Sequence, residues 1–212
     1  MPSSPHPDGV FGKAIREHLE IVQQLLAQQP VLEQIARAMA STIRSGNKIL
    51  FCGNGGSAAD SQHLAAEIVG RFCRERPGLP AIALTTDSSI LTSIANDYGY
   101  ESVFSRQVEA LGHKGDLLVG ISTSGNSPNV VAALRAARSQ GIATVGFSGA
   151  MGGKMAEFAD HMFTVASSET ARIQEAHILA GHMFCDWVEL DWVSRAKEAD
   201  VDVKVTQAQG VL

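Results

Sequence analysis

Residues 48–73 read KILFCGNGGSAADSQHLAAEIVGRFC. The apolar run at 48–52 is long enough for one buried strand. The next five residues, GNGGS at 53–57, form a loop that no regular element tolerates, and a helical pattern runs from 58 to 72. A strand, a Gly/Ser loop and a helix in that order make a phosphate cradle. Glycines let the backbone come close to a ligand, and the helix start offers free N–H groups and a partial positive charge. Ser57 stands where an N-cap hydroxyl is expected.

The helix carries a second signal. Leu64, Ala65, Ile68, Val69 and Phe72 form an apolar stripe at helical spacing. His63 and Glu67 are four residues apart and share a face roughly opposite that stripe. They are therefore not ordinary core residues. Either they are solvated, or a ligand, a metal or another subunit covers them.

The chain has 212 residues, 45% of them hydrophobic, enough for one domain with a proper core. Net charge is −5 and there is no Lys/Arg run, which argues against nucleic acid as a partner. Cys52, Cys73 and Cys185 are odd in number with no CxxC, and read as free thiols of a reducing compartment. With no apolar run near 18 residues, the reading is a cytoplasmic protein without a membrane span.

Residues 1–9 are Pro/Ser-rich and expected to be flexible. An amphipathic helix at 10–28 carries Ile15, Leu19, Val22, Leu25 and Leu26. Pro30 breaks it and starts a second helix through Val31, Ile35, Met39 and Ile43. This pair, 10–46, has no sheet of its own to cover, so it packs on itself or on a neighbouring subunit. Strands are then expected at 81–85, 116–122, 142–147 and 162–165. Helices are expected at 88–96, 103–111, from Pro128, at 152–158 and at 171–195. Residues 196–212 form a tail with no readable signal. Strands alternating with helices imply a parallel sheet covered on both faces, with its ligand at the carboxyl ends of the strands. The fold class is thus α/β, and both Gly/Ser loops fall at strand ends.

The second loop, STSGNS at 122–127, places four hydroxyls just before a helix N-terminus. Such a set binds phosphate without a cationic side chain, and it equally suits a capped serine-rich turn. There is no GxxxxGK[ST] and no GxGxxG with a ribose-binding acid, so no nucleotide cofactor is indicated. In the closing helix Ala176, Leu179, Ala180, Met183, Phe184 and Trp187 read as the buried stripe. Gln174 and His182, about two turns apart, share a face well off it. Asp186 and Glu175 lie near His182 on the helical wheel, so a salt bridge within the helix is the simplest alternative role for it.

GNGGSAADSQHLAAE, GISTSGNSPN and RIQEAH, in this order, together resemble the sugar isomerase (SIS) domain and, within it, the phosphoheptose isomerases. The resemblance covers about residues 47–190, with a compatible leading helix pair. It implies a single SIS domain over 1–212: a three-layer αβα sandwich at 47–195 with a five-stranded, flavodoxin-like parallel sheet. It also implies a homotetramer with active sites at subunit interfaces. The implied reaction converts sedoheptulose 7-phosphate to D-glycero-D-manno-heptose 7-phosphate, the first step toward the activated heptose of lipopolysaccharide core.

Carried over by position, the resemblance gives Ser122, Thr123, Ser124 and Ser127 the phosphate. Asn54, Gly55, Gly56 and Ser57 line the sugar, and Asn96, Asp97 and Gln174 contact substrate. Glu67 and His182 are the acid/base pair. His63, Glu67, Gln174 and His182 match a zinc set, one ion per subunit. Some relatives carry an acid just before Arg-Ile-Gln-Glu, where this chain has Ala171. Relatives that bind without catalysis lack the equivalents of Glu67 and His182. Other sugar-phosphate isomerases share the fold, and loop spacing does not read the length of the sugar.

Overall fold

A computed structural model describes residues 9–209. The expected flexible segment lies outside the described residues except for Gly9. Two helices lead, α1 (Val10–Leu25) and α2 (Gln29–Arg44). The alternating part follows: β1 (Ile49–Gly53), α3 (Gly56–Val69), β2 (Ala81–Ala83), α4 (Ser88–Tyr98) and α5 (Ser105–Leu111). After them come β3 (Leu117–Ile121), α6 (Pro128–Ser139), β4 (Ala143–Gly149), β5 (His161–Val165) and α7 (Thr170–Gln209). The expected helix at 152–158 is a 3-10 helix, Gly153–Glu157. Most of the expected tail is helical, because α7 runs on to Gln209.

The sheet is wholly parallel with order β2-β1-β3-β4-β5. Every residue of β1 and β3 is buried, as a strand covered on both faces requires. Side chains alternate between the two layers. Ile49, Phe51, Leu117, Val119 and Ile121 face the core shared with α2, α3 and α7. Leu50, Cys52 and Leu118 face the core shared with α5 and α6. The strand order reverses between β1 and β3, which opens a crevice at their carboxyl ends. Both Gly/Ser loops leave the sheet there.

The helical stripes are narrower than their sequence periodicity suggests. Leu64, Ala65 and Ile68 are buried, but Val69 is 50% exposed and Met183, expected in the closing stripe, is 40% exposed. On α1 only Ile21 and Leu25 are buried. Phe11, Ile15, Leu19 and Leu26 are 60–85% exposed and form an apolar stripe without cover in one chain. Periodicity identifies an apolar face but not the surface that meets it.

Asp116 fixes the first register of the sheet. It is buried, and its carboxylate accepts from the Lys48 backbone N–H (3.0 Å), the Lys48 ammonium (2.5 Å) and the His113 N–H (2.8 Å). Ile49 and Leu117, the next residue of each strand, are paired. Burial works to raise the Asp116 carboxyl, but the Lys48 contacts and the His113 N–H outweigh it and hold the group below its ordinary 3.8. A depressed folded-state value means that the contribution is complete above 3.8 and fades as pH falls below it. Asp116→Asn is expected to cost about 1–3 kcal/mol at pH 7. Urea unfolding should show that cost shrinking toward pH 3.

Candidate active site

The chain leaves β1 at Gly53 and turns through Asn54 into α3. The N-cap is Gly55, not Ser57, and no side chain caps the helix. Ser57 instead lies in the first turn, buried, with its atoms against Gly53. Asn54 is held by a reciprocal amide pair. It donates to the Asn129 side-chain oxygen (2.8 Å) and accepts from the Asn129 amide (2.9 Å) and the Tyr100 hydroxyl (3.3 Å). Neither Asn129 nor Tyr100 was singled out from the sequence. Asn129 stands in the quoted GISTSGNSPN, and it is 2% exposed at the start of α6, where a buried amide requires a partner.

The second loop folds its hydroxyls inward. Ser122 Oγ lies 2.8 Å from Ser127 Oγ and 3.3 Å from Ser124 Oγ, while the Asn126 N–H donates to Ser124 Oγ at 3.1 Å. Ser127 is the N-cap of α6, so the cluster sits on the positive end of that helix. Thr123 and Ser124 also line a cleft of about 510 Å³ together with Gly149, Ser167, Ser168 and Thr170. Asn96 and Asp97 lie exposed in the last turn of α4 and bond each other at 2.7 Å.

The remaining residues converge from two helices. His63 Nε2 meets His182 Nε2 at 2.9 Å and Glu67 Oε1 at 3.3 Å. Ligand atoms of His63, Glu67 and His182 all lie within 4.8 Å of one another. His182 therefore pairs across helices. Asp186 contacts Arg74, and Glu175 contacts Arg172 and His18. Gln174 lies over the first loop, against Gly56; a Cβ there would stand 2.3 Å from its Nε2. Gly181 permits the helix crossing itself, since a Cβ would come 2.5 Å from Leu64 Cδ2. Asp60, one turn before His63, has a buried Oδ2 with no partner. Burial pushes its carboxyl up to about 6, against the pull of His63.

Two further titratable side chains, Cys52 and His177, are buried in the core. Burial pushes the Cys52 thiol up to about 12. His177 is fully buried, and desolvation lowers it to about 4, so it stays neutral and donates from Nε2 to the Ser148 carbonyl at 3.2 Å.

Two imidazole nitrogens and a carboxylate oxygen within 4.8 Å of one another suit zinc, a borderline-soft cation of nitrogen and oxygen ligands. The chemistry of these three donors fits such an ion; Gln174, the fourth residue of the expected set, lies against Gly56.

A five-stranded parallel sheet flanked by helices, with a hydroxyl loop at its switch point, is the architecture expected of a SIS domain. The SIS domain family model matches residues 11–149, and the chain belongs to that family. Within it, the chain belongs to the phosphoheptose isomerases. It is 62% identical to the phosphoheptose isomerase of Roseiflexus sp. over 162 residues, 76% of this chain and 82% of the relative. A solved phosphoheptose isomerase from Neisseria gonorrhoeae is 47% identical, with TM-score 0.76 over 84% of this chain and 94% of that one. One from Francisella tularensis is 35% identical, with TM-score 0.78 over 85% and 98%.

The Gly56–Gln174 contact separates fold from function. Gly56→Ala should leave the thermal midpoint nearly unchanged, since the atoms that a Cβ would meet are the far end of the Gln174 side chain. Displacing Gln174 should weaken sugar-phosphate affinity about tenfold, equivalent to about 1.4 kcal/mol, in calorimetric titration.

Proposed function

We propose that this chain interconverts sedoheptulose 7-phosphate and D-glycero-D-manno-heptose 7-phosphate, supplying the heptose of a bacterial glycan such as lipopolysaccharide core. The observation that carries the reading is the convergence of His63, Glu67 and His182 beside a Gly/Ser loop, in a chain so similar to phosphoheptose isomerases.

The hydroxyls of Ser122, Thr123, Ser124 and Ser127 hold the phosphate at the start of α6. Asn54, Gly55, Gly56, Ser57, Asn96, Asp97 and Gln174 position the sugar. Remote binding of this kind places C1 and C2 against the reacting groups. Glu67 removes the C1 proton while His182 protonates the C2 carbonyl oxygen, giving an enediol. Returning that proton to C2 and removing the O1 proton completes the aldose. No net proton is gained or lost.

His63, Glu67, His182 and Gln174 would hold one zinc ion per subunit. Zinc, when bound, supplies a Lewis acid that polarises a substrate oxygen. Glu67 serves two roles in this reading, ligand and base, and its share in each decides how far turnover depends on metal.

The whole chain is read as one SIS domain acting in the cytoplasm as a homotetramer. The uncovered stripe of Phe11, Ile15, Leu19 and Leu26 supports burial of α1 between subunits. Among the described residues no helix is long and apolar enough to cross a membrane.

The test is turnover of sedoheptulose 7-phosphate followed by NMR, on metal-stripped protein and again after zinc is restored. Activity lost and then restored is the expected result; no turnover in either state, with the assembly intact, overturns the reading. Glu67→Gln is expected to lower kcat about 10²–10⁴-fold. Binding of the sugar phosphate to that variant should change little, because its phosphate contacts lie on other elements.

A further inference from the structure

Between α3 and β2, residues 70–80 have no regular structure, and a single side chain of α7 organises them. Glu189 is fully buried. Its carboxylate accepts from three successive backbone N–H groups: Phe72 (2.9 Å), Cys73 (2.8 Å) and Arg74 (2.7 Å). The Arg76 guanidinium, 1% exposed, lies 3.3 Å away, and that of Arg74 lies 3.5 Å away. Burial acts to raise the Glu189 carboxyl, but the N–H groups and Arg76 prevail and keep it below the usual carboxylate range, so it is ionised.

This anchor reaches the reacting groups along two routes. Arg76 donates to the carbonyls of Glu67 (2.9 Å) and Gly70 (3.0 Å). Those carbonyls belong to the end of α3, where helical partners run out. Arg76 thus caps the helix that presents His63 and Glu67. Along the other route, Glu189 fixes the Phe72 backbone, and the Phe72 ring stacks on the His182 imidazole, centroids 5.4 Å apart and planes 28° apart. The opposing ring is His63, edge-on at 5.1 Å and 62°. His182, Asp186 and Glu189 follow at i, i+4 and i+7 on one face of α7, and Asp186 holds Arg74.

We propose that Glu189, Arg76 and Phe72 are positioning residues for the isomerisation, a latch that sets the plane of the His182 imidazole and the end of α3 carrying Glu67. None of the three need touch substrate. The proposal rests on the isomerase reading, yet one of its tests does not depend on activity.

Glu189→Gln removes the charge and turns one acceptor into a donor facing N–H groups. Phe72→Leu keeps an apolar side chain but removes the stacked ring. In each variant kcat for sedoheptulose 7-phosphate is expected to fall about 10- to 100-fold, the usual cost of losing a supporting contact. KM should stay within about threefold of the parent, since the phosphate and sugar loops lie elsewhere. The second readout is the His182 ring-proton resonance in 13C-histidine-labelled protein, assigned with His182→Asn. Stacking on Phe72 displaces it, and both variants should move it toward the position of an unstacked imidazole. Arg76→Lys, which keeps the charge but not the fork, should lower kcat without moving that resonance as far.

Folded Phe72→Leu protein with parental kcat and an unmoved His182 resonance overturns the proposal. So does Glu189→Gln protein that is less stable but unchanged in both readouts. If Glu189→Gln does not fold, Phe72→Leu and Arg76→Lys decide. If the parent protein does not turn over this sugar, the isomerase reading fails while the resonance still reports on the latch.

Discussion

Helix α7 lies close on α3. A Cβ at Gly181 would come 2.5 Å from Leu64 Cδ2, so any larger residue there requires the buried Leu64 side chain to shift. The residues next to this contact are His182 on one helix and His63 on the other, so the approach that seals the core also brings the two imidazoles to 2.9 Å. The geometry of the cluster is therefore set by close packing, which tolerates little displacement. Two short helical motifs, nearly 120 residues apart in sequence, become one site without a dedicated scaffold.

The sheet provides the second constraint. Reversal of strand order between β1 and β3 leaves their carboxyl ends without a crossing connection. Both loops emerge into that gap, and Asn54 and Asn129 join them by their amides. This pair satisfies the buried amide of Asn129 while aligning the start of α3 with the start of α6. The hydroxyl loop then needs no lysine or arginine, because helix N–H groups and converging hydroxyls suffice for a phosphate.

Among the described residues, carboxylates are fully buried in two places, and in both they join segments remote in sequence. Asp116 ties the head of β3 to the head of β1, and Glu189 ties α7 to the irregular segment after α3. A buried carboxylate carries a desolvation cost that must be offset by several donors. Each of these has at least three. Such anchors are therefore demanding of geometry, which suits them to fixing register and the placement of a helix end.

The sequence alone determined the βα alternation, the parallel sheet, the two Gly/Ser loops at strand ends and the exposed face shared by His63 and Glu67. These follow from local periodicity and from residues with narrow conformational roles. Ser57 was misplaced as the N-cap because any of several residues in a GNGGS loop can end it. Val69 and Met183 were misplaced because an apolar stripe does not state how wide the opposing surface is. The tail gave no signal, although α7 runs through most of it. The resemblance groups His182 with His63 while the helical wheel offers Asp186, and the tertiary structure brings His182 to His63. Only the tertiary structure decided that Gln174 lies over Gly56, and that Glu189 and Arg76 hold the end of α3. Most of these contacts span more than a hundred residues along the chain, and the shorter ones, from Arg76 to the Glu67 and Gly70 carbonyls, depend on a segment without regular structure. A glycine, a glutamate or an arginine in isolation carries no local mark of the partner it will meet.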